Sequence, residues 1–326
     1  MRQTARTLAL AAICSLLGTA AAHAQAWPSR QVFIIVPFAA GGGVDAFARP
    51  MAAQLDKQLN QRFLIENRAG AGGTAGAAVA AKATPDGYTF LAGAAHHTIA
   101  PAVYPKLTYD IEKDFIPIAV LGQPPHVIVV APQKVNAKTL KELIDEAKAN
   151  PGKFTFGSAG NGTTHHLAGE LFNQINGTKI SHVPYRGAGP AMQDLIAGHI
   201  TVMFDGLGTS AATLTAGQIR GLAVTAPKRV PTFPDLPTTA EAGMAGFEFS
   251  TWYALWAVKG TPDDIVRRMR DEVASALKEP TIKAAWERNG SEVPSIFGDD
   301  MAKLVAADIE KWGKVVKQSG VKLDGG

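Results

Sequence analysis

Short apolar runs alternate with amphipathic stretches along this chain, at residues 32–36, 88–91, 118–121, 127–130, 154–156, 202–204 and 222–225. Helical patterns follow several of them, and alternation of this kind predicts an α/β fold with largely parallel sheets. Helix signals agree. Thr139 with Glu142 three residues on forms a capping box ahead of Leu140, Leu143, Ile144 and Ala147, and Asn150-Pro151-Gly152 ends that helix. Thr261-Pro262-Asp263-Asp264 predicts a cap, a proline at the first helical position and an acid at the third, before Ile265, Met269, Val273 and Leu277 at spacing four. A last amphipathic helix carries Leu304, Val305, Ile309, Trp312 and Val316. Pro50 removes one backbone bond from the helix predicted after Asp45 and should kink its first turns. Val44, Phe47, Met51, Leu55 and Leu59 still mark one face, so the helix stands.

No tandem repeat is visible, but one arrangement recurs: an apolar strand runs into a Gly-rich turn and then a helix. It occurs at residues 36–45 and again at 156–164. Each turn leaves backbone N–H groups free at a helix opening, where they and the helix dipole favour an anion. Two such turns far apart in sequence predict two sheets facing a common cleft. Residues 127–130 and 249–258 read as extended segments between the helical blocks.

The first residues are of another kind. Arg2 and Arg6 precede an apolar run at residues 8–22, and Ala22-His23-Ala24 supplies a small-x-small cleavage signal. This reads as a secretory signal peptide cleaved after Ala24. The run is too short and too Ala-rich for a transmembrane helix. Cys14, the only cysteine, lies inside it, so the exported chain has no thiol and no disulfide and rests on its core alone.

With 326 residues the chain has room for about two or three domains. It carries 32 basic and 28 acidic side chains, and loss of Arg2 and Arg6 leaves 30 against 28. Lys and Arg are interspersed with Asp and Glu at 138–148 and 303–317 rather than gathered in a stripe, which argues against nucleic acid as a partner.

Most catalytic readings fail on their residues. No Gly-Lys-Ser/Thr triplet exists for a phosphate loop, and residues 157–162 give only part of a dinucleotide fingerprint. Ser158 has Phe156 where a nucleophile elbow needs glycine. Asp205, His97 and Ser158 can be assembled into a triad only on paper. His96-His97, His165-His166 and the i, i+4 pair of His166 with Glu170 have metal-ligating chemistry, but adjacent histidines diverge and no cysteine assists. What remains is non-covalent binding of a small anion by amides, hydroxyls and waters, with Arg186 the main cationic candidate. An exported hydrolase or metal-dependent enzyme, and a solute sensor for a signalling partner, are the alternatives the residues leave open.

Several segments together resemble the substrate-binding receptors of tripartite tricarboxylate transporters, the Bug family. They are VPFAAGGGVD (36–45), ENRAGAGGTAG (66–76), PDGYTFL (85–91), FTFGSAGNGTTHHLAGELF (154–172), HVPYRGAGPAMQDLIAGHITVMFD (182–205), LAVTAPKRVPTFPDLPTTAEAG (222–243) and KWGKVVKQSGV (311–321). The resemblance implies a periplasmic, non-enzymatic, monomeric solute-binding protein that needs no cofactor. It implies a two-lobed type II binding-protein fold, each lobe a mostly parallel sheet flanked by helices. Lobe 1 would comprise residues 25–125 and 249–326, and lobe 2 residues 126–248. A carboxylate-bearing ligand, a di- or tricarboxylate or an aromatic acid, would sit in the cleft between them for delivery to membrane permease subunits. By position, the resemblance assigns Phe38, Ala40, Gly41, Gly42, Asp45, His96 and His97 to the first lobe's side of the site. On the second lobe it assigns Ser158, Gly160, Asn161, Gly162, Thr163, Thr164, Arg186, Gly187, Ala188 and Asp205. The family commonly has Ser or Thr where His96 stands, Asn at Ala100 and Ser at Gly206. His96, His165 and Trp252 could line a site for an aromatic acid, although a core role is expected for Trp252.

Overall fold

The computed structural model describes residues 27–319; the leader, its expected cleavage site and Cys14 lie outside the described residues. Among the described residues ten strands form two five-stranded sheets. The first holds β1 (Val32–Val36), β2 (Phe63–Asn67), β3 (Thr89–Ala94), β4 (Phe115–Gly122) and β10 (Tyr253–Val258), in the order β2-β1-β3-β10-β4. The second holds β5 (His126–Val130), β6 (Thr155–Ser158), β7 (Ser181–Pro184), β8 (Val202–Gly206) and β9 (Arg220–Val224), in the order β7-β6-β8-β5-β9.

The two sheets repeat one plan. β1 pairs parallel with β2 and β3, and β6 pairs parallel with β7 and β8. β10 runs antiparallel to both β3 and β4, and β5 runs antiparallel to both β8 and β9. Four strands of each sheet therefore share a direction and one is reversed. The reversed strand is in each case the one that enters from the other lobe, without the helical crossover that a parallel neighbour requires. β2 and β7 escaped the apolar pattern because they are half-buried edge strands: of β2 only Phe63 is buried, and no residue of β7 is.

The helices that follow the strands are α1 (Gly43–Leu59), α2 (Thr74–Ala81), α3 (His96–Val103), α4 (Leu140–Ala149), α5 (Thr164–Asn176), α6 (Ala188–Ala197) and α7 (Leu207–Thr215). After β10 come α8 (Asp263–Ala276), α9 (Pro280–Arg288) and α10 (Gly298–Ser319). The Thr139–Glu142 capping box is present at α4, and α1 runs through Pro50 without a break. Thr261 does not cap α8. Its hydroxyl donates to the Val258 carbonyl, and the helix starts at Asp263 with Pro262 in the cap position.

The core fixes the elements that carry the cleft. Phe47 of α1 stacks on Tyr253 of β10 at 5.0 Å and meets Trp286 of α9 edge-on at 4.9 Å, so one aromatic cluster sets the angle of α1. Trp286 also donates to the Leu121 carbonyl. Trp252 is buried, with Nε1 donating to Asp308 at 2.7 Å, which places it in the core rather than the cleft. The chain passes between sheets at residues 122–126 and returns at 249–253. These two segments are paired: the His126 amide donates to Phe249 at 3.1 Å, the Thr251 amide donates to Pro124 at 3.3 Å, and Pro125 bridges Ser250. Helices α8 and α9 pack on α1, and α10 packs on α3 and β4, all elements of the first sheet's side.

Candidate functional site

The two lobes meet face to face. Across the gap the Ala39 amide donates to the Arg186 carbonyl at 2.9 Å, and the Tyr104 hydroxyl donates to the Asn161 carbonyl at 2.8 Å. Glycines let the backbones approach this closely. A Cβ on Gly189 would overlap the Ala40 carbonyl, and one on Gly72 would overlap the Asn161 carbonyl.

Behind these contacts lies a narrow cavity lined from both lobes by Val36, Phe38, Ala39, Gly42, Gly43, Val44, Asp45, Ala94, His96, Ala159, Thr163, Thr164, His165, Ala188, Thr251 and Tyr253. Four helices open on it: α1, α3, α5 and α6. None has a side-chain cap, so apart from Thr98, whose amide donates to the Ala95 carbonyl at 2.9 Å, the N–H groups of their first turns are left to another acceptor. No Lys or Arg is in the wall. The favourable potential for an anion comes from backbone amides and helix dipoles.

Of the residues assigned from sequence, Phe38, Gly42, Asp45, His96, Thr163, Thr164 and Ala188 line this cavity. The others stand elsewhere. Asp45 already has its oxygens occupied: Oδ2 accepts from the Gly41 amide at 2.7 Å and from Arg49 at 3.1 Å, and Oδ1 accepts from Asn67 at 3.1 Å. It braces the β1–α1 turn. Ser158 is buried outside the wall; its hydroxyl accepts from the Gly160 amide and meets His182 Nε2 at 2.7 Å, tying the β6–α5 turn to β7. Gly160, Asn161, Gly162 and Gly187 pack against the opposite lobe at the rim, through Gly72, Tyr104, Val103 and Phe38. Ala40 and Gly41 are exposed at that rim. Arg186 contributes its carbonyl, while its side chain is exposed and absent from the wall. His97 is fully buried and absent from the wall, bonded to the Tyr109 hydroxyl at 2.7 Å.

Asp205 is fully buried just behind the wall. Ser210 donates to its Oδ2, and its Oδ1 stands 3.0 Å from His165 Nε2 without the alignment of a hydrogen bond. His165 stacks on His126 at 5.1 Å, and His126 Nε2 meets the Thr164 hydroxyl at 3.1 Å. Burial, with the nearby His97 and His165, holds His96 well below the usual histidine range, and burial does the same for His126. Burial and the neighbouring Asp205 push the Tyr253 hydroxyl up. Sequence reasoning left Thr251 and Tyr253 out of the site. Their i, i+2 spacing in an extended run was the available signal, since alternate residues share a face.

Among the described residues no three His, Cys, Asp or Glu side chains converge where they could hold a metal ion. His166 Nε2 and Glu170 are 3.9 Å apart, and His166 Nδ1 accepts from the Gly162 amide.

Two lobes on paired crossing segments, closed over a cavity of helix openings, define a solute-binding protein. The profile of the Tripartite tricarboxylate transporter family receptor matches residues 47–321, and the chain belongs to that family. It is a family of binding receptors rather than enzymes. The chain is 33% identical over 302 residues to Protein BugT of Bordetella pertussis, covering 92% of each. Among solved structures it is similar to one described as a periplasmic transporter, at 40% identity and TM-score 0.88, over 92% of this chain and 100% of the other. It is also similar to Rpa4515 of R. palustris with adipate, at 37% identity and TM-score 0.87, over 91% and 99%.

Proposed function

We propose that this receptor binds a small carboxylate-bearing molecule reversibly in the interlobe cavity, without chemistry, and delivers it to membrane permease subunits of a tripartite transporter. The observation that carries this reading is the convergence of four uncapped helix openings on a cavity without Lys or Arg. A carboxylate there gains about 0.3 to 1 kcal/mol from each dipole, up to about 2 when partly buried. Each charge-assisted hydrogen bond adds about 1.5 to 3 kcal/mol. A few such contacts reach the roughly 8 kcal/mol of micromolar binding. The adipate in the R. palustris relative supports a carboxylate as the ligand class.

In this reading the leader is cleaved after Ala24 and the monomeric product works in the periplasm. Lobe 1 is residues 25–125 with 249–326 and lobe 2 is 126–248, hinged where the crossing segments pair. Phe38, Gly42, His96, Thr163, Thr164 and Ala188 contact the ligand, and Asp45, Ser158 and Asp205 hold the surfaces that do. Closure brings Ala39 to Arg186 and Tyr104 to Asn161, giving the permease a shape that differs from the empty receptor. A thermal-shift screen of mono-, di- and tricarboxylates and aromatic acids tests it, because a ligand that binds only the folded state raises its melting temperature. A concentration-dependent rise with at least one acid is expected; no rise with any acid would contradict it.

A further inference from the structure

The cavity holds polar atoms that the protein leaves without partners. His96 Nε2 and both nitrogens of His165 are buried and unbonded, although buried polar groups are almost always paired. The two imidazoles come from opposite lobes, His96 from the opening of α3 and His165 from the first turn of α5, and both line the cavity. Behind His165 stands the buried Asp205 carboxylate, whose Oδ1 also lacks a hydrogen bond.

Their charge balance discriminates among acids. One carboxylate is served by the helix openings. A second, placed at the two histidines, would lie beside the buried Asp205 carboxylate, which stands 3.0 Å from His165, with no Lys or Arg in the wall to offset it. Its remaining recourse would be to protonate His96, which burial and its two histidine neighbours oppose. A neutral hydroxyl meets none of these costs, since a neutral imidazole offers one donor and one acceptor and a hydroxyl supplies both complements.

We propose that the cavity selects a small monocarboxylate whose remainder is uncharged and carries a hydroxyl, and that His96 and His165 read that hydroxyl from the two lobes. The inference rests on the carboxylate reading above and narrows its ligand class. It separates this chain from the adipate-bound relative, whose ligand is a dicarboxylate.

Calorimetry at neutral pH with two matched series tests it: butyrate, 4-hydroxybutyrate and succinate, then benzoate, 4-hydroxybenzoate and terephthalate. In at least one series the hydroxy acid should bind about tenfold or more tighter than the diacid, the scale of one buried hydrogen bond. His96→Leu and His165→Leu should each erase the preference for the hydroxy acid over the plain acid, read as the ratio of the two affinities in the same variant. Should either variant fail to fold, His96→Asn or His165→Asn replaces it, with a changed preference expected. A diacid that binds as tightly as the hydroxy acid in both series would overturn the selectivity and leave the carboxylate reading standing. Absence of binding by all six would overturn the selectivity, and the carboxylate reading falls with it only if the wider acid screen is also empty.

Discussion

The Gly189 Cα–H faces the Ala40 carbonyl across the cleft so closely that a methyl group added at Gly189 would overlap that oxygen. Gly189 lies in the first turn of α6, where alanine is otherwise the better helix former by about 1 kcal/mol. Its glycine is therefore explained by the approach of the opposite lobe and not by its own helix.

Gly189→Ala should leave the melting temperature of the empty receptor unchanged or slightly raised, yet prevent full closure. Small-angle scattering with saturating ligand should show a larger radius than wild type, with affinity reduced about tenfold or more through loss of cross-cleft contacts. Unchanged affinity and radius would mean that closure does not use this contact.

Tyr104→Phe removes the hydroxyl that donates to Asn161 without changing the ring. The loss of one hydrogen bond predicts a cost of about 0.5 to 1.5 kcal/mol in closure. The ligand off-rate should rise by a few-fold while the on-rate holds, measured by stopped-flow fluorescence.

Asp45→Ala strips acceptors from the Gly41 amide, Arg49 and Asn67. It should destabilise the protein by about 1 to 3 kcal/mol, as expected when a buried carboxylate that accepts three hydrogen bonds is lost. Chemical denaturation checks this, and Asp45→Asn should recover part of the loss. A direct ligand role for Asp45 would instead show as lost affinity with unaltered stability.

Legibility in sequence followed the range of the interactions. The α4 capping box and the Gly-rich turns before α1 and α5 are set by residues within one turn of each other and were read correctly. Ser158 was placed in the ligand contacts because its turn is there; that its hydroxyl is taken by His182 depends on the pairing of β6 with β7, which no local pattern shows. Arg186 suggested a cation for an anion site, but its chain direction at the rim sends the carbonyl to Ala39 and the guanidinium to solvent. Tyr253 entered the site through the return of the chain at residues 249–253, a contact between segments more than a hundred residues apart.

Stability should fall in mild acid. Burial holds His97 at about 3, His182 at about 3 with help from His166, and His166 at about 4, against a usual value near 6.5. The unfolded chain accepts protons that these folded sites refuse, so their contribution is complete above about pH 6.5 and declines as pH falls toward about 3. Melting temperature should drop between about pH 7 and 5, before ordinary carboxylates titrate. A flat profile in that window would contradict neutral buried imidazoles.

In the proposed binding mode a carboxylate rests on backbone amides at helix openings from both lobes. A crystal structure of the secreted protein with the best ligand from the acid screen tests it most directly. Carboxylate oxygens are expected at hydrogen-bond distance, about 2.7 to 3.2 Å, from amides at the openings of α1 and α5, directly or through one water. A carboxylate paired with a Lys or Arg side chain outside this cavity, or a ligand found cleaved, would contradict it.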